Sequence, residues 1–372
     1  MLPNPQPFFA ELPDPRRETR NKLHKLEDIV MITLCAVLGG YEDWVSIEDF
    51  GYSNEAWLRG FLELPNGIPS HDTLSDVIGR IDHNAFAKAF SDWVRAGLPE
   101  LGGRQVAIDG KSLRGSRAED GTIHVISAFA TQARIVLAAQ AIPDKANEIT
   151  AIPGLLAQLD LKGAVVTIDA MGCQKSIAKA IVLQQADYVL ALKDNHPGLH
   201  DDIKLWLDDN DAQGHVHMHE TVEKDHGRIE TRRTVVSTEL DWLAQKQEWS
   251  GLQAVAMVES TREIGDKVSC ERRYYLCSIT DITRIALTIR HHWAIENQQH
   301  WILDVQFGED AHRTRKDHSA ANLGLIRRTA LNLLQQDTSN KWSIRRRKMR
   351  THADIPYREA LLFRTVIPPR YS

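Results

Sequence analysis

"RQVAIDGKSL" (Arg104–Leu113) is the stretch whose reading decides the fold. It follows Leu101-Gly102-Gly103 and runs through Val106, Ala107 and Ile108 into Asp109-Gly110, the pattern of a short buried strand stopped by a turn. Downstream, "HVISAFAT" (124–131) and "ARIVLAAQAI" (133–142) read as further strands that pair with it as a meander. Then "NEITAIPGLLAQL" reads as a helix, "GAVVTIDAMG" as a strand, "QKSIAKAIVLQQ" as a helix and "DYVLALK" as a strand. Strands followed by alternating helix and strand predict an α/β core with a partly parallel, covered sheet.

Around this core the texture differs. Between about 195 and 280, polar turns ("DHGRIETRRTVVS") and alternating strands ("RRYYLCSIT") predict a β-rich insertion, and a long helical region from Asp281 to Gln336 closes the core. Upstream, "KLEDIVMITLCAVLGG", "SIEDFGYSNEAWLRGFL", "IPSHDTLSDVIGRI" and "HNAFAKAFSDWVRAGL" read as four helices, either a DNA-contacting bundle or a packing module. The expected division is an N-terminal helical domain over 1–98, a catalytic core over 99–340 containing the insertion, and a basic C-terminal tail over 341–372.

With 372 residues, the chain has room for more than one domain. "IVMITLCAVLGG" is too short to span a bilayer, and it follows a charged segment unlike a signal peptide, so no membrane association and a cytoplasmic, DNA-associated location are expected. Cys35, Cys173, Cys270 and Cys277 make no CxxC pair and no zinc spacing, and are expected as buried thiols. Net charge is −5, yet Arg284–Arg350 holds thirteen Lys/Arg against six Asp/Glu, a local balance of +7. A face of that sign suits a polyanion, because phosphates are held by Lys and Arg with release of counterions.

Two acids stand out by position. Asp109 ends "QVAID" and Asp169 ends "AVVTID". Ligands of open α/β sheets bind beyond the carboxyl ends of strands, although a strand-end Asp alone often only starts a turn. A third acid lies in "IRHHWAIENQQHWILDVQFGED" (289–310). On a regular helix at about 100° per residue, Trp293, Glu296, Asn297, His300 and Asp304 share one face, with Ala294, Ile295, Ile302 and Val305 opposite as core. Three carboxylates from two strand ends and one helix suit a pair of magnesium ions, which prefer oxygen and take few carboxylates plus phosphate oxygens. His300 is then placed to touch the phosphate or orient the acid.

"AIDGKSLRGS", "NEITAIPGLL", "TIDAMGCQKSIA", "HGRIETR" and "HWAIENQQHWILDVQFGED" occur in the same order in a known family. The chain resembles DDE-class insertion-sequence transposases, more narrowly the As1-type group that includes the H-repeat-associated proteins of Rhs elements. That resemblance implies a ribonuclease-H-like core with a β-rich insertion before the third acid, and puts the catalytic and metal-binding triad on Asp109, Asp169 and Glu296. It also implies Mg²⁺ (with Mn²⁺ as substitute), double-stranded DNA as partner (terminal inverted repeats and target), and a possible homodimer. Water cleaves at the element ends and the freed 3′-hydroxyl attacks target DNA. His292, His300 and Asn297 are expected as supporting residues, and Lys111, Arg114, Arg228, Arg290, Arg313 and Arg315 as DNA contacts. The wider group carries Tyr, Arg, Glu and Lys along this last helix. Here Ile289, His292, Glu296 and Leu303 take those places, so His292 is expected to meet a phosphate and His300 to stand in for the lysine. Asp304, Glu309 and Asp310 are reserve candidates for the third acid. The alternative is a domesticated or inactive remnant that binds or cuts DNA without joining it.

Overall fold

A computed structural model describes residues 2–19, 22–98, 100–117, 121–143, 148–213, 216–225 and 227–363. The strands expected after Gly103 form as β1 (Gln105–Ser112), β2 (His124–Ala130), β3 (Ile135–Ile142), β4 (Val165–Ile168) and β5 (Asp187–Leu192). Four more follow in the insertion: β6 (His217–Asp225), β7 (Arg228–Ser237), β8 (Ala254–Ile264) and β9 (Lys267–Cys277). All join one sheet in the order β3-β2-β1-β4-β5-β9-β8-β7-β6. Among the described residues only β1–β4 and β4–β5 are parallel pairs. β9 pairs antiparallel with β5, Val189 opposite Cys277, so the insertion lengthens the core sheet instead of standing apart from it. It is not purely β, because it opens with a 16-residue helix whose Leu199, Ile203 and Leu207 are buried at four-residue spacing.

The parallel strands read as apolar runs because both faces are covered. Val165 and Val189 pack with Ile285 and Ile289 of the helix Ile282–His292 on one face. Val166, Ile168, Tyr188 and Leu190 pack with Ile177 and Ile181 of the helix Lys175–Leu183 on the other.

The N-terminal segment forms α1 (Gln6–Ala10), α2 (Leu26–Gly39), α3 (Trp44–Ser53), α4 (Glu55–Leu58), α5 (His71–Arg80) and α6 (His83–Gly97). Asp43, Ser70 and Asp82 cap α3, α5 and α6 by accepting from backbone N–H groups, which fixes where these helices start. α2 has almost no polar face and is buried from Ile29 to Leu38. No single helix among the described residues is long and apolar enough to cross a membrane. The helices α7 (Glu148–Leu156), α8 (Lys175–Leu183), α9 (Pro197–Ala212), α10 (Ile282–His292) and α11 (Trp301–Phe307) belong to the sheet layer, and α12 (Ser319–Gln335) joins it to the N-terminal helices.

α12 is buried on every side, so its polar residues must find partners inside. Asn322 donates to the carbonyls of Ile78 (2.8 Å) and Ile81 (2.9 Å). Asn332 accepts from Val136 N–H and donates to Val136 C=O, both 2.9 Å, completing the edge strand β3 as a further strand would. The sheet's helical side and the N-terminal helices thus share one hydrophobic cluster.

Two expectations are corrected. Residues 344–363 are not a tail: α13 (Ile344–Ala353) and α14 (Ile355–Phe363) pack back on the body, with Thr351 Oγ1 donating to Leu38 C=O at 2.6 Å and Arg358 buried, while 364–372 lie outside the described residues. Much of the basic run is therefore spent internally; Arg347 donates to the carbonyls of Leu334 and Asn340. All four cysteines are free as expected, but Cys270 is exposed, on the outer part of β9.

Candidate active site

Register alone brings the two aspartates together. Ile108 on β1 pairs in parallel with Ile168 on β4, so Asp109 and Asp169 stand side by side just past that pair on the same sheet face. β4 ends there, but β1 does not stop at Asp109-Gly110 as expected and runs on to Ser112 against β2. Asp169 Oδ1 accepts from Met171 N–H at 3.1 Å, holding the turn that carries it.

α10 lies across that face. Gln105 Nε2 donates to Thr288 C=O at 2.8 Å, and His292 Nδ1 meets Thr167 Oγ1 at 2.9 Å. These bonds tie the helix to the strands two residues short of Asp169. Glu296 comes one turn later, where the backbone widens into a π turn over Glu296–His300. The wide turn delays the helical phase. Gln299 and His300 turn inward, whereas Glu296 stays at the cleft mouth. Asp109, Asp169 and Glu296 line one cleft of about 200 Å³, with Lys193, Arg273, His292 and Trp293 on its walls.

The electrostatics follow from that crowding. Burial, then Asp169, Glu296 and Glu148, push the Asp109 carboxyl up to about 7 from 3.8, against a backbone N–H bond at Gly110. Glu296 is raised by its low-dielectric surroundings and by Asp169, and Arg273 opposes this. Arg273 is held bidentately by Glu271 (2.8 and 3.0 Å) and lies 4.8 Å over the Trp293 ring. Burial drives His292 down to about 4 and His300 down to about 3, so both are neutral near pH 7.

A carboxyl whose folded pKa is raised holds its proton in the folded state after the unfolded chain has released it, so the stability it contributes is lost as pH rises through the folded value. The metal-free protein should lose stability between about pH 4 and 7, by an amount on the order of a few kcal/mol. Thermal melts in chelator across that range check this. Asp109→Asn should flatten the slope and raise the melting temperature above pH 7; equal slopes in both proteins would refute it.

Several expected residues fall elsewhere. Lys111 is not a DNA contact: it is buried, with its Nζ 2.6 Å from Asp304 Oδ1, 2.7 Å from Asp310 Oδ1 and 3.7 Å from Glu309 Oε2. That also answers for Asp304, Glu309 and Asp310, which neutralise this lysine and, through Glu309, the buried Arg328 at 2.8 Å. His300 does not replace a lysine; it sits uncharged with Nδ1 3.5 Å from Asp109 Oδ2. His292 does line the cleft, with its Nδ1 engaged by Thr167 Oγ1. Val305 is exposed, not core, and Leu303 and Phe307 are buried instead, because the π turn breaks the regular spacing.

Asn297 opens onto a neighbouring trough of about 560 Å³, between α10 and the face of β6–β9. Arg228, Arg232, Arg262, Arg273 and Arg290 line it, partly countered by Glu223, Glu230 and Glu271. Arg114, Arg313 and Arg315 lie on another surface and are exposed. Gly115 explains their meeting: a Cβ there would stand 2.0 Å from His312 O, so the 114–117 turn presses directly on the 310–315 loop. Arg315 Nε donates to Gly115 C=O at 3.3 Å.

Sequence reasoning missed Lys193 and Arg273. Lys193 directly follows β5, the third parallel strand, so the strand-end rule that marked both aspartates applied to it as well. Arg273 lies on an antiparallel strand of the insertion, and only the β5–β9 pairing brings it in.

The donor set suits a hard divalent cation: three carboxylates gathered without an equal number of cations, one of them forced toward its protonated form. Among the described residues no three His, Cys, Asp or Glu groups converge on a single metal position.

Asp109 and Asp169 on neighbouring parallel strands and Glu296 on the crossing helical stretch thus share one cleft in a mixed α/β sheet. Residues 7–94 match the model described as DDE_Tnp_1-associated, and residues 100–333 match the Transposase DDE domain; the chain belongs to this DDE transposase family. It is 39% identical to the "Putative transposase YncI" of Escherichia coli O157:H7, over 95% of this chain and 93% of that one. Identity is 38% to the "H repeat-associated putative transposase YhhI" of E. coli K12, over 93% and 94%. An uncharacterized protein of the dhlA 3′ region of Xanthobacter autotrophicus is 51% identical over 75% of this chain and 96% of its own length.

Proposed function

We propose that the chain is a DNA transposase that hydrolyses the phosphodiester at the ends of its element and joins the freed 3′-hydroxyl to target DNA. The observation that carries this is the meeting of Asp109, Asp169 and Glu296, separated by up to 187 residues of sequence, in one cleft bordered by Lys193 and Arg273. The strand order β3-β2-β1-β4-β5, with β1, β4 and β5 parallel, supports a ribonuclease-H-like core.

Asp109, Asp169 and Glu296 would hold Mg²⁺ or Mn²⁺, which supplies activation of the attacking oxygen and charge neutralisation at the phosphate. The chain's own residues do the rest. Asp109 must release its proton before it can ligate, so protons compete with the cation and the metal concentration needed for activity falls as pH rises toward 7. Lys193 and Arg273 offer positive charge to the scissile phosphate. Arg114, Arg313 and Arg315 hold duplex backbone beside β1, and Arg228 and Arg290 offer a second, separate contact along the trough.

The test incubates the purified chain with Mg²⁺, a labelled duplex carrying the inverted repeats that flank its gene, and a target plasmid. Expected products are 3′-hydroxyl nicks at the repeat ends and covalently joined plasmid. Nicks without joining favour a nuclease remnant, and no cleavage of any end in Mg²⁺ or Mn²⁺ overturns the proposal.

A further inference from the structure

Lys111 follows Asp109 by two residues on β1, so the pleat puts both on the face crossed by the helices. Its ammonium holds Asp304 of α11 and Asp310 of the following loop. Glu309, also in reach, is fixed by Arg328 of α12. One buried cation thus joins the strand bearing Asp109, the helical stretch bearing Glu296 and the central helix.

The other end of that stretch is tied to the sheet through Thr288 and His292. Between the two ties lies the π turn, whose i+5 ring is an uncommon and weakly held geometry. The position of Glu296 therefore depends on both anchors and not on helix geometry alone. Apolar packing would stabilise this junction as well as a buried ion cluster does; what an ionic link adds is a specified arrangement.

We propose that Lys111 is a positioning residue: its bonds to Asp304 and Asp310 set how Glu296 faces Asp109, and thereby the affinity of the cleft for divalent ions. The inference rests on the metal-dependent reading above and goes further, since it assigns the tuning of the site to a residue that touches neither ion nor DNA.

Iron-directed cleavage of the chain tests it without relying on DNA cutting. Fe²⁺ with ascorbate and peroxide nicks backbone next to bound metal, and mass spectrometry maps the nicks. The wild type should be cut near 109, 169 and 296. In Lys111→Met and Asp304→Asn, cuts near 109 and 169 should persist while those near 296 fade. The Mn²⁺ needed for half-maximal DNA cleavage should rise by about 10-fold, the lower end of what losing a direct partner of a ligand costs, because Lys111 reaches Glu296 only through α11, with a smaller change in rate at saturating Mn²⁺. Where Lys111→Met does not fold, Asp304→Asn decides, because Lys111 then keeps Asp310. Folded variants with wild-type cuts and Mn²⁺ requirement overturn the positioning role. A wild type with no localised cuts overturns the metal reading itself.

Discussion

Asp109→Ala, Asp169→Ala and Glu296→Ala are each expected to abolish Mg²⁺-dependent DNA cleavage, a loss of at least about a thousandfold, or about 4 kcal/mol of barrier, while duplex binding persists. The three acids sit on separate elements, so no single local distortion accounts for a common loss. The exposed arginines at 114, 313 and 315, which carry the proposed backbone contact, line neither the cleft nor the trough. Asp169→Ala also removes the acceptor for Met171 N–H, worth about 1 kcal/mol of local stability. Asp169→Asn keeps an acceptor oxygen and separates the two roles. Gel-shift and nicking assays on the same preparations read both properties. Wild-type nicking by Glu296→Ala would remove the helix acid from the site, and with it the reason for the π turn.

Arg328→Met should be among the most damaging single changes to stability, costing about 3–5 kcal/mol. Arg328 and Glu309 are both fully buried and 2.8 Å apart. Arg328 also donates to Gly324 C=O at 3.0 Å. Burial opposes ionisation of Glu309, but Arg328, Lys111 and Arg327 together hold its carboxyl below the usual range. Without Arg328, that charge must be neutralised by a proton or left poorly compensated. Denaturant melts at pH 7.5 would show the loss, and the deficit should shrink at pH 5 as Glu309 takes up a proton. An unchanged midpoint would mean that the network is stabilised elsewhere. The double variant Arg328→Met/Glu309→Leu should recover much of the stability, because it removes the orphaned charge with its partner.

Much of this was legible in the residues. Apolar runs ended by Asp-Gly and Asp-Ala marked β1 and β4; the strand-end rule fits Asp169, whereas β1 runs three residues beyond Asp109 because its later half pairs with β2. The alternation of helix and strand after "NEITAIPGLLAQL" announced a partly parallel sheet, and runs such as "GAVVTID" lack alternation because both faces are covered. Glu296 was singled out by its neighbours, although the regular wheel used to place it put Val305 on the wrong side.

Sequence by itself determined most core strands and helices, the two aspartates on β1 and after β4, and the basic bias of the last hundred residues, since these depend on local pattern or composition. The helix opening the insertion, the helices at 344–363 and the π turn it did not. Tertiary structure alone decided which charges face water. Lys111 and Arg114 look equivalent in "DGKSLR", yet one is enclosed by acids from 200 positions away and the other is exposed. Such assignments depend on desolvation and on partners brought together by packing, neither of which has a signature within a few residues of the charge.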